Sequence, residues 1–321
     1  MKSDQDWLSA LRRRAGAYQQ VRAFFEQRGV LEVETPVLSR GGTTDPQIES
    51  LSCLVGTGGN AERRYLRTSP EFFHKRLLAA GVTDLFELAK VFRDGEFGAR
   101  HNPEFTLLEW YRSGWDHYRL MDEVGELVQC LLNWAGQGHW PVRTLSFAEL
   151  FVEYAGVDPL HDTRAALDAR LAAAGVMGMD SWSRDEALDY LRGAVIEPAL
   201  PTRQLTFVVD FPASQAALAR ILPGDPPLAA RFELYLGQVE LANGYHELTD
   251  AAEQRRRFEA DLAVRGQRSQ PLPRLDEALL TAMEQGLPDC AGVALGMDRL
   301  LLALGGATDL RQLLPFPHDQ A

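Results

Sequence analysis

Apolar residues recur every three or four positions near the start of the chain, and this spacing predicts an amphipathic helix that ends before Gly29. A strand from Val30 to Glu34 is expected next. Thr35-Pro36 ends that strand, because proline cannot donate a hydrogen bond to a neighbouring strand. The apolar face of the helix consists of Leu11, Ala15, Tyr18, Val21 and Phe25.

Two later runs, Phe86 to Phe92 and Glu104 to Tyr111, are rich in aromatic and branched residues and alternate in polarity, which favours paired antiparallel strands. The polar connection between them is longer than a hairpin needs, and long ordered loops are commonly functional. Its side chains suit a nucleotide, because arginine forks bind phosphate oxygens, an amide pairs with the edge of adenine and an aromatic ring stacks on the base. We therefore predict an ATP site here, the alternative being a solvated loop on an ordinary hairpin. The candidate contacts are Arg93, Arg100, His101, Asn102 and Phe105.

Between about 140 and 227 the pattern changes to helices joined by turns that contain Pro and Gly. Ser146-x-x-Glu149 and Ser183-x-x-Glu186 are typical of capping boxes, which open helices. We interpret this segment as a mostly helical insertion within a single catalytic domain that spans 1–321.

Near the other end, Cys290 to Leu304 is expected to form a small buried strand that turns through Gly296 into a helix. Arg299 falls in the first turn of that helix, where the helix dipole disfavours a cation. An anionic ligand explains Arg299 better than a structural role does. Glycine at positions 292 and 296 lets the backbone approach such a ligand closely.

The run from Arg231 to Glu247 predicts a hairpin whose two-residue turn is Leu236-Gly237. That register places Glu233 opposite Glu240, and two facing carboxylates destabilise a sheet unless a cation bridges them. Mg²⁺ is a suitable bridge, since it takes carboxylate and phosphate oxygens together. The alternative is a pair of exposed glutamates on an edge hairpin.

The composition bears on partners and on the compartment. A net charge of −12 disfavours binding to nucleic acid, and we interpret the arginine triplets at 12–14 and 255–257 as solvated helix faces. Cys53, Cys130 and Cys290 lack CxxC spacing, which argues against structural zinc or disulfides and favours a reducing cytoplasm. No apolar run approaches the ~20 residues of a membrane span, so no membrane association is expected.

The segments described above resemble the three motifs of class II aminoacyl-tRNA synthetases, and RHNPEFTLLEWY and ELANGYHEL are most similar to the lysyl branch. The resemblance implies an α+β fold in which helices flank an antiparallel sheet, and a homodimer formed around Pro36. It also implies adenylate formation from ATP with Mg²⁺. Arg93 and Arg299 are the implied catalytic residues, and Glu233 and Glu240 the implied metal ligands.

The same resemblance assigns the nucleotide contacts in more detail. The family usually reads Arg-x-Glu where this chain reads Arg93-Asp94-Gly95-Glu96, so either Glu96 takes the adenine contact or backbone groups replace it. The implied ATP-binding residues are Arg93, Asp94, Gly95, Glu96, Arg100, His101, Asn102, Phe105, Glu240, Leu241, Gly296 and Arg299.

The implied amino acid pocket contains three acids, which suits a substrate with two amino groups and one carboxylate. In the resemblance, Glu71 and Glu109 surround one amino group, Glu247 receives the side-chain ammonium, and two tyrosines flank the aliphatic stem. Lysine or a close relative of lysine is therefore the expected substrate. The implied contacts are Ser69, Pro70, Glu71, Glu109, Tyr111, Asn243, Tyr245, Glu247 and Ala294.

Lysyl-tRNA synthetases carry an anticodon-binding OB-fold before motif 1. Motif 1 of this chain is expected to be the helix and strand that end at Thr35-Pro36, and only about a dozen residues precede it. The chain therefore resembles their stand-alone paralogues, which activate (R)-β-lysine and transfer it to a lysine of elongation factor P. Ala294 stands where lysyl synthetases usually have glycine, and its methyl group is expected to disfavour α-lysine. We expect tRNA to be a poor partner. The alternatives are a truncated enzyme that charges tRNA, a relative of asparagine synthetases, and a non-catalytic regulatory subunit.

Overall fold

The computed structural model describes residues 4–179 and 182–321, which contain both helices and strands. The helices are α1 (Asp4–Glu26), α2 (Glu71–Ala79), α3 (His117–Trp134), α4 (Phe147–Ala155), α5 (Arg164–Ala173), α6 (Arg184–Leu191), α7 (Ala251–Gln267), α8 (Glu277–Gly286) and α9 (Met297–Gly305). The strands are β1 (Leu31–Glu32), β2 (Leu38–Ser39), β3 (Ser52–Val55), β4 (Glu62–Leu66), β5 (Asp84–Phe92), β6 (Glu104–Ser113), β7 (Val142–Ser146), β8 (Leu205–Pro212), β9 (Ile221–Leu222), β10 (Leu228–Leu236), β11 (Val239–His246) and β12 (Cys290–Gly296). No helix in the described part of the chain combines the length and the apolar character needed to cross a membrane.

The chain divides into two compact units. The first falls within Met1–Trp115, Trp134–Gln137 and Thr249–Ala321, and the second comprises Asp116–Asn133 and Gly138–Leu248. The segment 140–227, predicted to be a mostly helical insertion, lies in the second unit and also contributes strands to its sheet. The single catalytic domain over 1–321 stays a prediction.

The first unit is built on strands in the order β1-β5-β6-β12. The predicted pairing of β5 with β6 is confirmed, because the two strands run antiparallel from Asp84 opposite Arg112 to Phe92 opposite Glu104. Strand β12 also runs antiparallel to β6, whereas β1 is parallel to β5. A separate three-stranded sheet has the order β2-β4-β3.

Helix α1 packs on this sheet through its C-terminal half, as its apolar spacing predicts. The Phe25 ring stacks on Phe86 with centroids 4.5 Å apart and meets Trp110 edge-on at 5.3 Å. Val21 is fully buried, but Ala15 is exposed, so the buried face is narrower than predicted.

The strand expected at 30–34 has only two residues in the structure, those of β1. It is short because the chain then turns inward at Thr35. The hydroxyl of that residue donates to the buried Glu87 carboxylate at 2.7 Å instead of continuing along the sheet edge.

The second unit has strands in the order β11-β10-β8-β7, with β9 paired to β10. Both predicted capping boxes are confirmed: Ser146 and Glu149 open α4, and Ser183 and Glu186 open α6. Aromatic side chains of α4 and β8 form part of the core, where the ring of Phe147 lies 4.9 Å from that of Phe211.

Candidate active site

The loop between β5 and β6 holds most of the predicted ATP contacts. A backbone hydrogen bond from Arg93 N to Pro103 O (2.9 Å) closes the loop, and Gly95 has a φ of +78°, which favours glycine. The Arg93 guanidinium lies 5.2 Å from the centre of the Phe105 ring and 3.4 Å from the Glu96 carboxylate. Its side chain remains 25% exposed, so a ligand can reach it.

Other predicted residues of the loop help to hold its shape. Asp94 N donates to Glu49 O at 2.9 Å. The Asn102 amide donates to Glu104 O at 2.6 Å and accepts from His318 N at 3.2 Å. Arg100 is exposed. Both ends of the Asn102 amide therefore have partners within the protein, and its adenine contact stays a prediction.

The turn from β12 into α9 brings the second predicted arginine to this loop. Gly296 is the residue before the helix, and Arg299 lies in the first turn of α9. Nη2 of Arg299 lies 2.8 Å from Nε2 of His101. Two residues assigned to ATP from separate motifs are therefore neighbours in the first unit.

Asp298, which was not among the predicted site residues, anchors the start of α9. Its carboxylate accepts a hydrogen bond from Thr106 N at 2.7 Å and forms an ion pair with Arg14. An acid in the first turn also interacts favourably with the helix dipole. The expectation that all three arginines at 12–14 are solvated is wrong for Arg14, because a buried carboxylate binds it across 284 positions of sequence. An acid next to Arg299, in the first turn of the expected helix, was the signal available in the sequence.

Two of the predicted substrate carboxylates, Glu71 and Glu109, belong to a buried polar cluster. Glu109 is almost fully buried and accepts hydrogen bonds from the hydroxyl groups of Ser69 (2.7 Å) and Tyr111 (3.0 Å). Glu71, in the first turn of α2, forms an ion pair with Lys75 at 2.6 Å. Pro70 is the residue that precedes this helix.

The carboxyl group of Glu71 is affected by burial and by its charged neighbours. Burial raises the pKa of Glu71, and so does repulsion by Glu109, while Lys75 opposes both effects. The Ser69 hydroxyl also accepts a hydrogen bond from Glu71 N at 3.0 Å, which fixes the start of α2 beside Glu109. The structure therefore brings together the three predicted residues Ser69, Glu71 and Glu109.

Beneath Glu109 lie further polar residues that were not among the predicted site residues. His74 contacts both Glu87 and Glu109, and Arg67 pairs with Glu87 at 2.8 Å. Burial disfavours the charge on Glu87, but hydrogen bonds from His74 and Thr35 and the attraction of Arg67 outweigh it, so its pKa is lowered. A glutamate within the apolar run of β5 was the signal available in the sequence.

Ala294 lies directly opposite Glu109 in the pairing of β12 with β6. Side chains of directly opposed residues share one face of a sheet with Cβ atoms ~5 Å apart. The methyl group of Ala294 therefore stands beside the predicted amine site, next to an apolar cluster formed by Ala89, Val91 and Leu107.

The remaining predicted residues lie in the second unit, on or just after the hairpin of β10 and β11. The predicted register of this hairpin is wrong: Glu233 pairs with Asn243, and Glu240 pairs with Tyr235. The turn is made by Gly237 and Gln238, because a two-residue turn of this kind needs a positive φ at its first position and Gly237 has one of +61°. A register shift next to Leu234 completes the difference.

The carboxylate of Glu233 is already occupied by cations. Arg192 contacts both of its oxygens, at 2.8 and 2.6 Å, while Arg231 lies 2.5 Å away and the Tyr235 hydroxyl donates at 2.8 Å. Burial raises the pKa of Glu233, but the two arginines outweigh it and lower that pKa to about 2. Arg192 comes from a π-helical turn at Arg192–Ile196, and π-helical turns occur frequently at functional sites.

The other predicted residues of the second unit vary in burial. Glu247 is fully buried, Leu241 is almost fully buried, and Glu240 is half-buried. Oδ1 of Asn243 accepts a hydrogen bond from Nε of Arg231 at 3.2 Å, and Tyr245 pairs with Arg231 across the hairpin. In the described residues no group of three or more His, Cys, Asp or Glu side chains is arranged to hold a metal ion.

Comparison with known proteins gives the family of this chain. The family described as tRNA synthetases class II (D, K and N) matches residues 2–320. A protein of Mannheimia succiniciproducens named elongation factor P–(R)-β-lysine ligase is 44% identical over 96% of this chain and 94% of its own length. A protein of the same name from Vibrio cholerae is 43% identical over 99% of this chain and 100% of its own. The α+β fold with a mainly antiparallel sheet flanked by helices, expected from the sequence, is confirmed. The chain belongs to the class II tRNA synthetase family, in the group that contains these ligases.

Proposed function

We propose that this chain is an ATP-dependent ligase that activates (R)-β-lysine as an adenylate and transfers it to a lysine side chain of elongation factor P in the cytoplasm. The contact between Arg299 and His101 carries this proposal, because it brings together two residues from separate motifs that are both predicted to bind ATP. The same unit contains the carboxylate of Glu109, which suits an amine. The relatives named for this activity are similar along nearly their whole length.

The chemistry takes two steps. A carboxylate oxygen of β-lysine attacks the α-phosphorus of ATP, the new O–P bond gives the adenylate, and pyrophosphate leaves. The guanidinium groups of Arg93 and Arg299 stabilise the negative charge that builds on the phosphate oxygens. The acceptor amine then attacks the adenylate carbonyl carbon, an amide bond forms, AMP leaves, and the amine proton passes to solvent. No covalent bond to the protein is needed, so the protein acts by positioning and by neutralising charge.

Mg²⁺ typically accompanies ATP in this family, and its two predicted ligands, Glu233 and Glu240, are not equally suited to bind it. Glu233 does not fit a metal ligand in this arrangement, because Arg192 and Arg231 already neutralise its buried carboxylate. Glu240 is half-buried and keeps the carboxylate chemistry that Mg²⁺ prefers. The residue roles assigned to the two arginines of the first unit do not depend on the metal.

A protein acceptor suits this chain better than tRNA. Its net charge is −12, and all three arginines of the triplet on α7 are paired with acids: Arg255 with Glu277, and both Arg256 and Arg257 with Glu253. Arginines that are neutralised in this way contribute little to phosphate binding.

The test is mass spectrometry of elongation factor P after incubation with this protein, ATP, Mg²⁺ and (R)-β-lysine. The expected result is one added β-lysyl group on a lysine, which disappears when ATP is omitted or when Arg299→Ala replaces the wild type. A parallel reaction contains tRNA(Lys) in place of the protein acceptor. Efficient charging of that tRNA, with no change in the mass of elongation factor P, would overturn the proposal in favour of a truncated synthetase.

A further inference from the structure

A buried histidine, His74, lies beneath the predicted amine site of the first unit. Its Nε2 lies 2.9 Å from a carboxylate oxygen of Glu87, and its Nδ1 lies 3.5 Å from one of Glu109. The imidazole is fully buried and packs edge-on against the ring of Tyr111. Both ring nitrogens therefore face carboxylates. A neutral imidazole donates from only one nitrogen, whereas the protonated form donates from both.

The charges around this imidazole are nearly balanced. Three carboxylates lie close to it, and two of them have permanent cations: Glu71 pairs with Lys75 at 2.6 Å, and Glu87 pairs with Arg67 at 2.8 Å. Glu109 accepts its hydrogen bonds from hydroxyl groups, which carry no net charge. The protonation of the imidazole therefore decides whether the cluster is neutral or carries one net negative charge.

The cluster favours the protonated form of His74 before any substrate binds. Burial opposes the charge, but the attraction of the imidazolium to the nearby carboxylates of Glu109 and Glu87, including its hydrogen bond to Glu87, outweighs that cost, so the pKa of His74 is raised. An arriving ammonium group would bring a second cation to Glu109. Neighbouring like charges disfavour each other, so the imidazolium and the ammonium compete for the same carboxylate.

We propose that His74 is a positioning residue that shares Glu109 with the amino group of the substrate. The imidazolium holds the carboxylate in place before binding and releases its proton to solvent when the ammonium arrives. The inference rests on the proposed function, which supplies the amine. Its consequence is that amine affinity rises as the pH rises through the pKa of His74, whereas ATP affinity is unaffected.

Calorimetry of the full chain measures the released proton directly. (R)-β-lysine is titrated into the protein in the presence of a non-hydrolysable ATP analogue, at one pH near neutrality, in buffers with different heats of ionisation. The expected release is a substantial fraction of one proton for each amine bound. His74→Gln keeps a hydrogen-bonding side chain without a titrating group, so it should bind the amine while releasing no proton. His139→Gln, which changes an exposed histidine, is the matched control and should behave as the wild type.

The outcomes separate this inference from the proposed function. Amine binding with the same proton release in His74→Gln would overturn the inference alone. No binding of any lysine-like amine by the wild type would overturn the proposed function and the inference with it.

A measurement on the wild type needs no variant. Nitrogen NMR of the labelled imidazoles should show one buried histidine whose pKa falls when the amine binds, and a pKa that does not change for any buried histidine would also overturn the inference.

Discussion

Nη2 of Arg299 lies 2.8 Å from Nε2 of His101, although 198 positions separate the two residues in the sequence. The contact places the first turn of α9 against the loop between β5 and β6. Since a cation at a helix N-terminus opposes the helix dipole, Arg299 is held there by a partner and not by its own helix. An anionic ligand that bound both side chains would remove this electrostatic conflict.

Arg93→Ala and Arg299→Ala are expected to abolish adenylate formation without unfolding the protein. Each removes a cation that stabilises charge developing on phosphate, a loss of about 2–4 kcal/mol in the transition state. The measurement is β-lysine-dependent exchange between ATP and pyrophosphate. Arg256→Ala is the matched control, because that arginine is exposed and pairs with Glu253 on the surface of α7. Near-normal exchange in the first two variants would refute their catalytic role.

Ala294→Gly is expected to increase the use of α-lysine relative to (R)-β-lysine. The substitution removes the methyl group that stands opposite Glu109, and one methyl group in a pocket is worth about 1–3 kcal/mol of discrimination. The measurement is the ratio of kcat/KM for the two amino acids. An unchanged ratio would show that the position of the amine is read elsewhere in the cluster.

Glu233→Gln is expected to lower the stability of the protein, whereas Glu240→Gln is expected to weaken metal binding. Removal of the Glu233 charge leaves Arg192 and Arg231 without their shared carboxylate, and breaking a buried pair costs about 3–5 kcal/mol. Glu240→Gln should leave the free energy of unfolding nearly unchanged and lower the affinity for Mn²⁺ in the presence of ATP. Urea unfolding and electron paramagnetic resonance of Mn²⁺ measure the two effects. A stable Glu233→Gln protein with weakened Mn²⁺ binding would restore the metal role predicted for Glu233.

The protein is expected to be a homodimer through the segment from Leu11 to Pro36. Large apolar side chains in this segment and just after it are exposed, among them Leu31 at 56% and Leu38 at 43%. A nearby open cavity of about 660 Å³ is lined partly by Pro36. Leu31→Glu combined with Leu38→Glu should therefore convert the dimer to a monomer in sedimentation velocity experiments. Val152→Glu, on the exposed side of α4, is the control. A monomeric wild type at micromolar concentration would contradict this prediction.

Asp261→Asn is expected to stabilise the protein above pH 6. Burial and repulsion by Asp45 raise the pKa of Asp261 to about 6, although Thr44 donates a hydrogen bond to it at 2.9 Å. At pH values between the pKa of Asp261 in the unfolded chain and about 6, the folded state binds more protons than the unfolded state. The free energy of unfolding therefore falls as the pH rises through this range. Thermal unfolding should show no difference between variant and wild type near pH 4 and a higher Tm for the variant at pH 8. Equal Tm values at pH 8 would contradict the prediction.

The local features of this chain could be read from the sequence. The strands β5 and β6, the turn into α9 and both capping boxes depend on side-chain periodicity and on contacts between residues a few positions apart. Arg93 and Arg299 could be predicted in the same way, because each stands at its expected place within a short segment of sequence. These features are local, so no tertiary contact was needed to predict them.

The register of the hairpin formed by β10 and β11 could not be predicted from the local sequence. Gly237 takes the first position of the turn, and a Cβ atom on it would lie only 2.6 Å from Thr202 O, so packing against another part of the second unit fixes this backbone. A change of register alters every pair that follows, which is why Glu233 meets Asn243 and not Glu240.

The charge pairs within each unit were decided by the tertiary structure alone. Arg192 reaches Glu233 across 41 positions of sequence, and His74 meets Glu109 only because α2 and β6 pack together. A buried carboxylate requires a partner, but the sequence does not show which cation or hydrogen-bond donor the fold will bring to it. The sequence therefore determined which residue types were available for the chemistry. The fold determined which of them neutralise one another and which remain in reach of a ligand.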